Sequence, residues 1–117
     1  MRHLKRGRKF NKKRGARKAF FKILLANLIL KGKIHTTEAR AKEIRPMIER
    51  LVSIGKAQNL AAFRLLLSRL STKSVAEKLY YEIVPRYKDR QGGYTRILKT
   101  SRTRKRDSAP TAIIEFI

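Results

Sequence analysis

Cysteine is missing altogether from the 117 residues, which excludes a disulfide scaffold, a thiolate zinc site and a cysteine nucleophile. Acid is scarce as well: 8 Asp and Glu stand against 31 Lys and Arg, for a formal net charge of +23. Long apolar runs are absent. Ile23-Leu24-Leu25-Ala26 is interrupted by Asn27 before Leu28-Ile29-Leu30, far short of the roughly 20 residues that a membrane span requires. The apolar stretch also begins well inside the chain and lacks a small-residue cleavage signature, so no secretory signal is expected. The expected location is the cytoplasm or another compartment that contains nucleic acid.

Catalytic groups are equally thin. His3 and His35 are the only histidines, and neither stands in a ligand spacing with a carboxylate, so no metal site is expected. Glu38, Glu43, Glu49, Glu77 and Glu82 are spread along predicted helices, whereas acid/base catalysis needs carboxylates gathered in a cleft. Gly7-Arg8-Lys9 and Gly92-Gly93 do not make a phosphate loop, which needs a longer glycine-rich span closed by Gly-Lys-Ser/Thr. No enzyme activity, cofactor or small-molecule substrate is expected.

What remains is a chain that is 42% hydrophobic, enough for one compact domain with its own core. Its one-signed charge repels itself and draws anions, so a polyanionic partner is expected. The charge is unevenly placed: residues 1–37 contain 13 Lys or Arg and no acid. Residues 1–15 hold only Met1, Leu4 and Phe10 as large apolar side chains. They are therefore predicted to form an extended basic arm that contributes little to the core and is ordered by its ligand. Residues 16–117 form the predicted single α/β domain, with a second basic segment at about 99–108 read as a loop.

Helical spacing of Ala16, Ala19, Phe20, Ile23, Leu24 and Leu28 predicts a first helix from about 15 to 31, stopped at Gly32. Lys33-Ile34-His35-Thr36-Thr37 suits a short strand that hands over to a second helix capped by Thr36 or Thr37. That helix buries Ile44, Met47, Ile48, Leu51 and Val52, with Pro46 either kinking it or dividing a short first turn from the main body. Leu60, Phe63, Leu66, Leu67 and Leu70 mark a third helix, although Leu65-Leu66-Leu67 leaves its exact face open. Val75, Leu79, Tyr80 and Ile83 mark a fourth, with a capping-box spacing at Ser74 to Glu77 and Pro85 near its end. Tyr94–Lys99 and Thr111–Ile117 are rich in β-branched and aromatic residues and read as strands. The predicted fold is α+β, a two-layer arrangement of about four helices on a small three-stranded mixed sheet.

The expected contact residues follow the charge. In the arm, Arg2, Arg6, Arg8 and Arg14 alternate with Lys5, Lys9, Lys12 and Lys13, and Arg17 with Lys18 continues the series into the first helix. Arginine adds a planar fork that can bridge two phosphate oxygens, and Gly7 and Gly15 permit close approach of the backbone. His3 is read as a polar ring facing RNA. Near the other end, Lys99, Arg102, Arg104, Lys105 and Arg106 form a phosphate-contacting loop in which Asp107 could orient an arginine. Tyr87, Lys88, Arg90, Gly92, Gly93, Tyr94 and Arg96 form another surface, where Tyr94 could stack on an unpaired base or pack on helix four. No helix-turn-helix, zipper or zinc module points to reading of duplex sequence. Separated basic elements suit a folded RNA, with a DNA-compacting protein as the alternative.

The order of several unlike segments resembles the bacterial-type large-subunit ribosomal protein family number seventeen. The resemblance runs from Met1-Arg2-His3 and Gly7-Arg8-Lys9 through Ile34-His35-Thr36-Thr37 and Ala41-Lys42-Glu43. It continues through Pro85-Arg86-Tyr87, Asp89-Arg90 and Gly92-Gly93-Tyr94-Thr95-Arg96-Ile97-Leu98-Lys99 to the Ala109-Pro110 to Ile114-Glu115 ending. It implies a noncatalytic structural constituent of the cytoplasmic large ribosomal subunit, bound to large-subunit ribosomal RNA and neighbouring ribosomal proteins near the surface around the peptide exit tunnel. It also places Arg2, His3, Gly7, Arg8 and Lys9 in an RNA-entering extension, and Arg90 to Arg96 in a signature turn and strand. Two departures stand out: Arg104-Lys105-Arg106-Asp107 replaces an Arg-Gly-Asp-like turn, and Gly15-Ala16 replaces more polar residues before the first helix.

Overall fold

The computed structural model describes His3 and residues 7–117. Helix α1, Arg14–Lys31, ends at Gly32, whose φ of 80° is the left-handed cap that glycine adopts at little cost; its N–H donates to the Leu28 carbonyl at 2.8 Å. Strand β1, Lys33–Thr37, follows directly, and the Thr37 hydroxyl caps helix α2, Glu38–Gly55, by accepting from the Arg40 N–H at 3.4 Å. Helix α2 runs unbroken through Pro46, so the short-first-turn alternative does not occur. Pro46 lies on the exposed side, next to the exposed Lys42 whose carbonyl loses its partner there.

Helix α3, Leu60–Arg69, is capped by the Asn59 side chain, which accepts from the Ala62 N–H at 2.7 Å. Helix α4, Lys73–Lys78, is capped two residues before the predicted position: the Thr72 hydroxyl accepts from the Val75 N–H at 3.4 Å, while Ser74 is already helical and touches Thr72 instead. The predicted fourth helix then changes pitch, first to a π turn at Leu79–Ile83 and then to a 3-10 turn at Val84–Tyr87 with Pro85 in its first turn. Among the described residues no helix is long and apolar enough to cross a membrane.

Strands β2, Thr95–Thr103, and β3, Pro110–Phe116, complete a sheet of order β1-β3-β2. Both pairings are antiparallel, which corrects the expected mixed sheet. The last strand inserts between the first two, so β1 and β2 run the same way without ever pairing. Ile34, Ile114 and Ile97 align on the face that packs against the helices; Lys33, Glu115 and Arg96, then His35, Ile113 and Leu98, align on the opposite face, which no helix covers. The two-layer arrangement is therefore as expected.

The core gathers Leu28 and Ile29 of α1, Ile44, Ile48 and Val52 of α2, Leu66, Leu79, Ile83, Val84 and Ile114, all essentially sealed from solvent. The buried face of α1 is Phe21, Leu25, Leu28 and Ile29, one position round from the predicted stripe, and Ile23 is left 59% exposed. Two overlapping sets of helical spacing fit this apolar segment, and packing on α2 and α4 selects between them. Each buried Leu or Ile contributes about 1.5–3 kcal/mol, against about 0–1 kcal/mol for an exposed ion pair. Packing, not salt bridging, therefore holds the domain together against its own charge.

Gly55, at the end of α2, lies so close to Val84 that a Cβ would meet Val84 Cγ2 at 2.8 Å. Val84 is branched and buried, so it cannot swing aside. Gly55→Ala is expected to destabilise the domain by about 1–3 kcal/mol, read as a lower Tm in thermal denaturation, whereas Gly15→Ala, in open space on α1, should leave Tm unchanged or raised.

Candidate nucleic-acid interface

The basic residues gather at three places around α2. At its first half, the segment from Gly7 to Lys13 folds back onto α1 and α2. The Arg8 backbone N–H and guanidinium both donate to the Glu43 carboxylate, at 3.3 and 3.1 Å. Gly7, at φ +102°, would place a Cβ 3.3 Å from the same carboxylate, so its missing side chain lets the chain pass. Phe10 packs against Phe20 and Phe21 with ring centroids 5.7 Å from each. The expectation that this segment adds little to the core is corrected for Phe10, because one aromatic ring is enough to dock a charged strand when a hydrophobic pair awaits it.

Cations cover that cluster. The Lys12 ammonium and the Arg40 guanidinium lie 5.1 and 5.0 Å from the centroid of the Phe20 ring, within reach of cation–π attraction. Arg17 donates to the Lys12 carbonyl at 3.3 Å. Lys9, Lys13, Arg14 and Lys18 are exposed around this base and His3 is exposed as well, while Arg2, Lys5 and Arg6 lie outside the described residues. Gly15 is an ordinary helical position on α1, with no other part of the protein within 4 Å of a Cβ placed there. Nothing in the sequence singles out Arg40: it sits in a mixed-charge stretch, and only its place one turn into α2 brings it to the arm.

The second place is the β2–β3 hairpin. Strand β2 continues to Thr103, so the turn proper is narrower than the expected 99–108 loop. Lys99 pairs with Ala112 but Thr103 with Pro110, which leaves two extra residues on β2 as a bulge. Thr111 seals it by donating its hydroxyl to the Arg102 carbonyl at 2.7 Å. In the turn, Arg104 makes a two-pronged contact with Asp107, and the same carboxylate accepts from the Ala109 N–H at 3.2 Å. Arg102, Lys105 and Arg106 project into solvent.

The third place is the far end of α2, about 20 Å along the helix axis from the arm's anchor. Lys56 donates to the Arg90 carbonyl and, at 3.2 Å, to the Tyr94 hydroxyl. Tyr94 is 2% exposed and packs on Tyr87 with centroids 5.3 Å apart. Its ring has no open face for a base, so packing is the alternative that holds. Arg90 stays exposed. Arg96 is committed to Glu115 at 2.6 Å and Lys99 to Glu38 at 3.5 Å, which leaves both with less charge to offer than Lys105 or Arg106.

Two carboxyls are held below their ordinary range. Hydrogen bonding from Lys42 lowers Glu38 against the opposing effect of burial, with further attraction from Lys42 and Lys99, and hydrogen bonding from Arg104 and the Ala109 N–H lowers Asp107. The surface as a whole offers exposed guanidinium and ammonium groups on a rigid frame, and among the described residues no cluster of His, Asp and Glu that could hold a metal.

The model of the ribosomal protein L17 family matches residues 20–117. A protein named large ribosomal subunit protein bL17 from Thermus thermophilus is 44% identical over all 117 residues, which cover 99% of its length. Proteins of the same name from Thermodesulfovibrio yellowstonii and Sphingopyxis alaskensis are 45% and 47% identical over the whole chain, covering 87% and 84% of theirs.

The lowered Asp107 carboxyl gives the hairpin turn an acid limit. Because the folded value lies below the ordinary aspartate value, the carboxylate's contribution is complete above that ordinary value and is lost as pH falls through the lowered one. Protection of the Ala109 amide, taken relative to its intrinsic exchange rate at each pH, is expected to fall only at strongly acidic pH. Asp107→Asn should show the lower protection already at neutral pH; equal protection in the two proteins would show that the carboxylate does not hold the turn.

Proposed function

The chain belongs to the ribosomal protein L17 family, and we propose that it is a noncatalytic structural constituent of the large ribosomal subunit that binds and stabilises large-subunit ribosomal RNA. The observation that carries this reading is identity of 44% extending over the whole chain to a protein named for that subunit. The distribution of charge supports it: a net +23 is displayed at an arm, a hairpin and one helix end, so that several separate phosphate walls can be met at once. Phosphate contacts position such a protein without reading sequence.

In this proposal residues 1–15 form an RNA-binding extension rooted on the domain 16–117. The described arm residues His3, Arg8, Lys9, Lys12, Lys13 and Arg14 act with Arg17 and Lys18 of α1, and Arg2, Lys5 and Arg6 extend the series. Arg102, Arg104, Lys105 and Arg106 form the hairpin contact, with Arg90, Arg96 and Lys99 more peripheral. Neighbouring large-subunit ribosomal proteins are further partners, and the cytoplasmic subunit is the setting. The finer placement near the surface around the peptide exit tunnel is supported only by the family resemblance.

Combined Arg14→Gln, Lys18→Gln, Lys105→Gln and Arg106→Gln substitutions should leave circular dichroism unchanged. They should weaken binding to large-subunit ribosomal RNA, reducing the slope of log affinity against log salt by roughly 0.7–0.9 for each phosphate no longer neutralised. An unchanged slope would remove these residues from the interface. Equal or tighter binding of the wild-type protein to generic duplex DNA would favour the DNA-compacting alternative.

A further inference from the structure

The basic elements from opposite ends of the chain meet at the first turn of α2. An open cavity of about 290 Å3 is lined there by His35, Thr36, Thr37, Arg40, Arg104 and Thr111, so two strands, a helix and the hairpin turn each supply a wall. None of the lining residues is acidic. The nearby Glu38 is already occupied by Lys42 at 2.7 Å and Lys99 at 3.5 Å.

Both arginines are held in place from outside the cavity. Arg40 lies over Phe20, the ring on which the arm's Phe10 docks. Arg104 is braced by Asp107 through Nε and Nη2, which leaves Nη1 available. Two guanidinium groups fixed from different directions suit the paired oxygens of a phosphodiester. The volume lies at the lower edge of the roughly 300–1,000 Å3 of small-molecule pockets, which suits one nucleotide unit rather than a helical segment. Beside it, the exposed His35 ring leads onto the row shared with Ile113 and Leu98 on the uncovered sheet face. That floor suits a ribose or base, and so favours a nucleic-acid phosphate over a free ion.

We propose that this cavity is a single-phosphate site for the RNA backbone, in which Arg40 and Arg104 grip the same phosphodiester and so clamp the hairpin turn to the base of the arm. The site rests on the RNA-binding reading above and adds Arg40 and His35 to it. The clamp links elements 64 residues apart in sequence, Arg40 and Arg104, through one ligand group.

The test compares Arg40→Gln, Arg104→Gln, their double variant and an Arg40→Gln/Lys105→Gln pair, all in the full chain, for binding to intact large-subunit ribosomal RNA over a salt series. One shared phosphate predicts that either single substitution lowers the salt slope by up to about 0.9. The Arg40/Arg104 double variant lowers it by no more than the larger single step, while the Arg40/Lys105 pair lowers it by the sum of its two steps. Arg40→Lys, which keeps a cation over Phe20 but loses the fork, should weaken binding several-fold with the circular dichroism of the wild type. Additive steps in the Arg40/Arg104 double variant, or single variants that bind as the wild type does, overturn the clamp while leaving the RNA-binding reading in place. Inorganic phosphate that moves the Arg40 and Arg104 side-chain resonances, with RNA affinity unchanged in both single variants, identifies a free-anion pocket and also overturns it. Wild-type protein without salt-dependent binding to this RNA overturns both readings.

Discussion

Helix α2 is the member against which the rest is assembled, and the packing of its inner stripe is the interaction the molecule depends on. Ile44, Ile48 and Val52 are fully withdrawn from water between the sheet and the other helices. The same helix presents Glu43 to the arm, Glu49 to the start of β2 and, just past its end, Lys56 to the Arg90–Tyr94 segment. A small domain with a net charge of +23 is pushed apart by its own surface. A core that is continuous through one long helix lets that surface stay cationic without the fold giving way.

The few acids are placed where they set geometry. Six of the eight, Glu38, Glu43, Glu49, Glu77, Glu115 and Asp107, hold ion pairs. Most of these pairs are too exposed to add much stability. Their effect is local: Glu43 fixes where the arm turns, Glu49 accepts from the buried Thr95 hydroxyl at 3.3 Å, and Asp107 shapes the hairpin turn. Cations left outside these pairs, such as Lys105 and Arg106, keep their charge for a partner. Scarcity of acid thus sorts the basic residues into those that build the frame and those that face outward.

What can be read from the sequence is whatever local chemistry decides. Gly32 as a stop, Thr37 as a cap, the stripe of α2 and the two final strands all depend on neighbours within a few residues. The misreadings share a different cause. The face of α1, the antiparallel sheet and the docking of Phe10 depend on which distant surface arrives, and the spacing of Phe20, Ile23 and Leu24 is as helical as that of Phe21, Leu25 and Leu28. Tyr94 resembles a stacking residue because it follows two glycines, yet Tyr87 and Lys56 claim both its ring and its hydroxyl. Arg40 carries no local signal at all, since its role arises from standing one turn above a strand end where the arm and the hairpin converge.

The root of the arm combines two attachments that answer differently to the ionic medium. Arg8 and Glu43 form a partly exposed pair, open to screening over the roughly 8 Å Debye length of physiological salt. The burial of Phe10 against Phe20 and Phe21 is not screened, and strongly hydrated salts reinforce it. As ionic strength rises, the proposed contacts to phosphate weaken before the aromatic seat does. On that reading the base of the arm leaves an RNA partner as a shaped element and returns as one.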